Sequence, residues 1–297
     1  MKKIISIFLC VLLLSCLFCG CTAPENSDKI KIVTTVFPVY DFARAAAGDK
    51  ADVKMLIQPG SDIHSFEPTA RDIAEIQNSD IFIYIGGESD VWVEKILSSV
   101  TLSNTSVVKM VDCVTLIEDD HGDFDEHIWT SPDNAVKMLA RINTVLSDID
   151  GENAAYYTAR TADYTENINA AAADIRNVIE NSHKKTIVVA DRFPFVYFTE
   201  YFSLEYAAAF GGCEHDTDAG LSTVTALIDT VKHNNLTAVY RVELSDLSVA
   251  DTVAAATGAE ILELHSAQNI SAEDFNAGVT YVDIMQKNCQ ALQEGLK

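Results

Sequence analysis

KIVTTVFPV, residues Lys31 to Val39, returns in altered form as TIVVADRFPF, residues Thr186 to Phe195. Each copy opens with a short β-branched run that reads as a strand, and each sets a Phe-Pro pair just behind it, Phe37-Pro38 and Phe193-Pro194. Outward from the first copy, Val39 to Ala47 has helical spacing and stops at Gly48. Val53 to Ile57 is a second strand running into the turn Gln58-Pro59-Gly60-Ser61. A helix from Thr69 to Asn78, capped by the Thr69/Asp72 pair, then precedes the apolar strand Ile81 to Ile85. Outward from the second copy come an aromatic helix to Tyr201, strand Glu205 to Ala209, Gly211-Gly212 and a polar turn. Helix Ser222 to Asn234, strand Ala238 to Val242, a helix near Ser248 to Thr257 and strand Glu260 to Leu264 follow. The shared Phe-Pro and the shared glycine-bearing turn after each second strand indicate internal duplication. Strands alternating with helices imply parallel sheets, so the expected fold is α/β with two similar lobes.

Between the copies, Ala154 to Ser182 is rich in alanine, contains neither Gly nor Pro, and carries apolar residues at helical intervals. One long helix joining the lobes would restrict how far they hinge. The expected organisation is an export leader over 1–20, a tether over 21–29, a first lobe over 30–150, a linking helix over 151–184 and a second lobe over 185–297.

Lys2, Lys3, the apolar run Ile4 to Leu14 and the small residues before a cysteine describe an export signal, too short for a spanning helix. Cys21 and Cys16 are both candidates for lipidation. Cys21 is preferred because Gly20 precedes it and the polar stretch Thr22 to Lys29 follows it as a tether; cleavage without lipidation is the alternative. With the leader removed and Cys21 carrying lipid, Cys113, Cys213 and Cys289 remain, an odd number with no C-x-x-C pair, so at most one disulfide is expected and no thiolate metal site. A formal net charge of -23 disfavours nucleic acid and favours small cations, although such acidity also serves solubility.

Histidine is the commonest metal ligand, and the chain has seven. His64 follows the turn after the second strand, His127 begins a helical segment, and His265 follows strand Glu260 to Leu264. All three fall near carboxyl ends of parallel strands, the edge where open α/β sheets bind ligands. Spacing alone does not make them converge, and singly each reads as a structural histidine. His183 and His233 lie at polar helix ends and read as structural. The run IEDDHGDFDEH, Ile117 to His127, reads either as a solvated acidic loop or as a cation-concentrating one, with His121 a weak acceptor and His127 alone a direct ligand.

Over these residues the chain resembles the zinc and manganese receptors of bacterial ABC importers, including the high-affinity zinc-binding proteins. The resemblance is carried by IVTTVFPVYDFARAAAGD, QPGSDIHSFEPTARDIAEIQNSDIFIYIG and EHIWTSPDNAVKML. It implies that His64 of HSFEPT and His127 of HIW bind the metal directly. The remaining ligands depart from the family pattern. Where relatives carry a histidine or glutamate after the first strand of the second lobe, this chain has Asp191 or Arg192, depending on a one-residue gap. Guanidinium stays protonated, which leaves Asp191. Where relatives carry an aspartate after the last strand, this chain has His265. The expected set is therefore His64, His127, His265 and Asp191, with Glu243 in reserve, and His215, counterpart of His64 under the duplication, as a further candidate. Three imidazoles and one carboxylate suit tetrahedral Zn²⁺, with Mn²⁺ possible as a competitor.

The resemblance also implies an ABC permease as partner, attachment to the outer face of the cytoplasmic membrane through a lipid anchor, a monomeric state and no nucleic-acid partner. The acidic turn Glu214 to Asp218 would face the permease. Two other classes stay in view. An extracytoplasmic zinc hydrolase would need an open water position and a base, for which Glu67 is a candidate, but no H-E-x-x-H motif is present. A surface adhesin is neither supported nor excluded.

Overall fold

The computed structural model describes residues 29–61, 63, 65–118, 124–212 and 219–297. The leader, Cys16, Cys21, nearly all of the tether, His64, His121, Cys213 and His215 lie outside the described residues.

The first lobe runs β1 (Ile30–Thr34), α1 (Phe37–Ala47), β2 (Ala51–Met55), α2 (Ala70–Gln77), β3 (Ile81–Tyr84), α3 (Val91–Ser99), β4 (Ser106–Lys109) and α4 (Pro132–Ile149). Helix α5 (Ala154–Asn181) leads to the second lobe. That lobe contains β5 (Thr186–Val189), α6 (Val196–Phe202), β6 (Glu205–Ala208), α7 (Leu221–His233), β7 (Ala238–Arg241), α8 (Ser248–Thr257), β8 (Glu260–Glu263), α9 (Ala272–Ala277) and α10 (Tyr281–Gly295). Each sheet has four parallel strands. Their orders are β2-β1-β3-β4 and β6-β5-β7-β8, one pattern used twice. The duplication read from the two Phe-Pro copies is thus a duplication of topology.

Local chemistry accounts for the elements. Pro38 lies in the first turn of α1, where a missing N–H costs nothing. The Thr69 hydroxyl accepts from Asp72 N at 3.3 Å while Thr69 N donates to the Asp72 carboxylate at 2.9 Å, which fixes the start of α2. Along α5 the buried residues Ile168, Ala171, Ala172, Ile175 and Ile179 keep helical spacing, and the helix packs on α1, α4 and α10. One apolar core runs through both lobes and includes Phe42, Leu139, Ile168, Ile175, Ile187, Phe198 and Leu292. Val33, Leu56 and Phe82 cover the far face of the first sheet, and Val188, Leu227 and Val239 that of the second.

The lobes also meet directly. Trp129 Nε1 donates to the Ser266 carbonyl at 2.8 Å, and the Tyr281 hydroxyl donates to the Trp129 carbonyl at 2.6 Å. Asp41, almost fully buried, accepts from Arg44 at 2.6 Å, from Tyr281 N at 2.9 Å and from the Tyr164 hydroxyl. The Asp41 bonds fasten α1, α5 and α10 together. Among the described residues no helix is long and apolar enough to cross a membrane, and Cys113 and Cys289 are unpaired.

Candidate metal site

In both sheets the strand order reverses direction beside the first strand, and the loops leaving β1 and β3, and β5 and β7, flank the crevice where this architecture binds ligands. A cleft of about 370 Å³ opens there. It is lined from the first lobe by Gly60, Ser61 and Ile63, and from the second by Asp191, Arg192, Glu243, Gln268 and others.

His127 enters this region just ahead of α4. Its carbonyl accepts from Thr130 N at 3.1 Å and from the Thr130 hydroxyl at 2.8 Å, which holds the backbone of the turn. The ring is fully buried, packs edge-on against Trp129 at 5.4 Å, and has its Nδ1 3.0 Å from Asp125 Oδ1. The same carboxylate oxygen accepts the His127 backbone N–H at 2.8 Å. With Nδ1–H donated to Asp125, neutral imidazole carries its lone pair on Nε2, the arrangement of metal-binding histidines held by a carboxylate. Nε2 is buried and has no hydrogen-bond partner among the described residues. Burial works to lower the His127 pKa, but the hydrogen bond and charge of Asp125, together with the charge of Glu126, outweigh it and raise the value.

Gly212 brings the second lobe against this ring. A Cβ there would lie 3.2 Å from His127 Cε1 and 3.0 Å from Asp125 Oδ2, so glycine permits the approach. Gln268, in the loop after β8, adjoins His127 closely enough for its carboxamide to help raise the His127 pKa, and its Nε2 is buried without a well-formed hydrogen bond among the described residues. If the carboxamide is turned over, its Oε1 becomes a neutral oxygen donor facing the same space.

The second lobe treats its candidate ligands differently. Asp191 Oδ1 accepts from Arg192 N at 2.8 Å and Oδ2 from Val242 N at 3.0 Å, so the carboxylate ties the end of β5 to the end of β7. Glu243 accepts from Ser266 N at 2.7 Å and from the Ser266 hydroxyl at 2.5 Å. His265 exchanges two backbone bonds of 2.8 Å with Asn288, and its Nδ1 accepts from Ala267 N at 3.0 Å. The residue lines a cavity of only about 20 Å³ with Phe195, Phe198 and Tyr281.

Among the described residues no three His, Cys, Asp or Glu side chains come close enough to hold one metal ion. His64 and His215 of the expected set lie outside the described residues, so the set is carried forward as a proposal. Among its described members, Asp191, Glu243 and His265 make hydrogen bonds that tie second-lobe loops together, and His127 has its Nδ1 on Asp125. Two participants escaped the sequence reading. Asp125 had a signal, a carboxylate two residues before a histidine, but lay inside a run that also read as solvated. Gln268 had none beyond its position after the last strand.

On the first-lobe side the backbone beside the crevice is shaped by buried acids. Asp90 Oδ2 accepts from Ile85 N at 2.7 Å and Gly86 N at 3.1 Å, and Glu126 accepts from Ser89 N at 2.9 Å. Burial drives the Asp90 carboxyl up to about 7; the bonds from Gly86 and Ile85 resist the rise and the charge of Glu126 adds to it.

Known proteins share the sequence pattern and fold of this chain. The chain is 29% identical over 314 residues to the zinc-binding lipoprotein AdcA of Streptococcus pneumoniae, covering 99% of this chain and 61% of the relative, so it spans about three fifths of that protein's length. It is 28% identical over 289 residues to the high-affinity zinc uptake system protein ZnuA of Bacillus subtilis, covering 93% of this chain and 90% of the relative. The crystal structure of the Zn(II)-bound ZnuA-like domain of Streptococcus pneumoniae AdcA superposes with a TM-score of 0.78 at 28% identity, covering 90% of this chain and 99% of that one. With the family model for ZnuA, zinc-uptake complex component A periplasmic, matching residues 32–295, the chain belongs to the ZnuA family.

Proposed function

We propose that the protein is an extracytoplasmic receptor that captures Zn²⁺ between its two lobes and delivers it to an ABC permease. The observation that carries this reading is the buried Nε2 of His127, which has no well-formed hydrogen bond among the described residues, with Nδ1 held by Asp125. A buried nitrogen acceptor without a partner is costly unless a ligand completes it. Its place beside the strand ends of a ZnuA-family chain supports a metal ion as that ligand.

Proposed direct ligands are His127 and His64, the latter in the segment whose neighbour Ile63 lines the cleft, with Gln268 closing the set from the second lobe. Imidazole nitrogens favour zinc over manganese, which prefers more oxygen. Asp191, Glu243 and His265 serve as frame, and His215 is kept as a further candidate. The lobes over 30–150 and 185–297 and the joint over 151–184 are the proposed working parts. Anchoring through Cys21 and action as a monomer complete the proposal, in line with lipoprotein relatives such as pneumococcal AdcA. No catalytic step is assigned to the site.

An equilibrium zinc titration of the soluble chain tests the reading. One tightly bound ion per chain, abolished in His127→Ala, is expected; binding unaffected by that change would refute it.

A further inference from the structure

The loop after β8 reaches the first lobe through two neighbouring side chains, and each meets a different segment there. Gln268 adjoins His127. Asn269 spans the end of the turn Gln58-Pro59-Gly60-Ser61: its Oδ1 accepts from Gly60 N at 3.3 Å, and its Nδ2 donates to the Ser61 carbonyl. That turn runs on, three residues later, to His64. A single loop of the second lobe therefore engages both first-lobe segments that supply the proposed histidine ligands.

The loop is firmly seated. Ser266 donates to Glu243 through N at 2.7 Å and through its hydroxyl at 2.5 Å, and its carbonyl accepts from Trp129 Nε1 at 2.8 Å. Gln268 N donates to the Ser266 hydroxyl oxygen at 3.1 Å. Ala267, buried between them in the chain, sits at φ +63°, a conformation that a non-glycine residue keeps only where its surroundings enforce it. Asn269 Oδ1 also accepts from Ile270 N at 2.7 Å, which fixes the orientation of the carboxamide. The turn it holds is the opposite. Gly60 and Ser61 are exposed, Gly60 sits at φ +80°, and no described atom lies within 4 Å of the place a Cβ would take there. Hydrogen bonds at an exposed rim contribute little net stability each and open locally without unfolding a lobe.

We infer that Asn269 is a positioning residue that works as a latch: it closes the cleft by holding the Gly60-Ser61 turn against the second lobe, and its opening sets the rate at which bound zinc leaves. The inference rests on the zinc-receptor reading and deepens it by naming the residue that governs release. The buried bond from Trp129 to Ser266 stays made while the two rim bonds of Asn269 break and re-form.

Stopped-flow transfer of zinc from the loaded chain to an excess of chromogenic chelator tests this, with zinc association measured beside it. Asn269→Ala should release zinc about tenfold faster, the effect of two lost hydrogen bonds, while the association rate and the zinc-free unfolding midpoint stay as in wild type. Hydrogen exchange of the wild type needs no variant: the Gly60 amide should exchange at least fivefold more slowly with zinc than without. Unchanged release from a folded Asn269→Ala chain, or Gly60 exchange equally fast in both states, overturns the inference and leaves the receptor reading standing. A wild-type chain that binds no zinc overturns both.

Discussion

The two lobes are built on one strand order, yet their loops at the crevice do opposite things with similar residues. In the first, Asp125 turns a histidine so that one nitrogen is left exposed to a ligand and to nothing else. In the second, Asp191, Glu243 and His265 bond to backbone amides close by and have little left to offer. On the proposed reading, duplicated topology has divided labour: the first copy presents its histidines, and the second keeps its strand ends and loops in place so that Gly212 and Gln268 close against them.

Removing the presented donor should have the largest effect. His127→Ala is expected to weaken zinc binding at least ~100-fold, the loss of a direct nitrogen ligand, with the fold intact by circular dichroism. A smaller change at His127 than at His265 in parallel titrations would reverse the assignment of roles. Glu243→Gln should act on stability instead. Replacing a buried carboxylate that takes two bonds from Ser266 is expected to cost about 1–3 kcal/mol in denaturant unfolding while zinc affinity stays within roughly threefold. A large affinity loss without destabilisation would make Glu243 a ligand. Asp125→Asn leaves the ligand in place and loosens its orientation, for which a loss of about tenfold in affinity is expected.

The smallest predicted effect concerns Asp90. Its folded value of about 7 stands above the ordinary 3.8, so between those limits the folded state binds more protons than the unfolded one. Stability contributed through this carboxyl is therefore fullest at low pH and falls as pH rises towards 7. Asp90→Asn should gain about 1 kcal/mol over wild type at pH 8, and the gain should vanish near pH 4. A gain that is equal at both pH values would show that ionisation of Asp90 has no part in it.

The architecture was legible because the signals were local and repeated. Strand runs with β-branched residues, the two Phe-Pro pairs and the Gly-free stretch at 154–181 each dictate their own element. Strand β4 and helix α10 were not anticipated. The run Ser106 to Lys109 is short and partly exposed, and α10 lies beyond the last strand, where no repeated motif marks it. Of the proposed site, His127 stood out by its motif and its place near a strand end. The hydrogen bonding of the second-lobe candidates did not, because residue type does not reveal whether a carboxylate faces a cleft or a backbone amide. Asp191 points its oxygens at N–H groups one and fifty-one residues away, and only the fold brings Val242 there. Gln268 went unnoticed for the complementary reason: an amide has no ligand signature until burial strips it of partners.

Diffraction at the zinc absorption edge from crystals of the zinc-loaded protein tests the division of labour most directly. The account predicts one anomalous peak about 2.0–2.1 Å from His127 Nε2, with no peak at His265. A single peak bound by His265 and Glu243, with His127 Nε2 left bare, would contradict it.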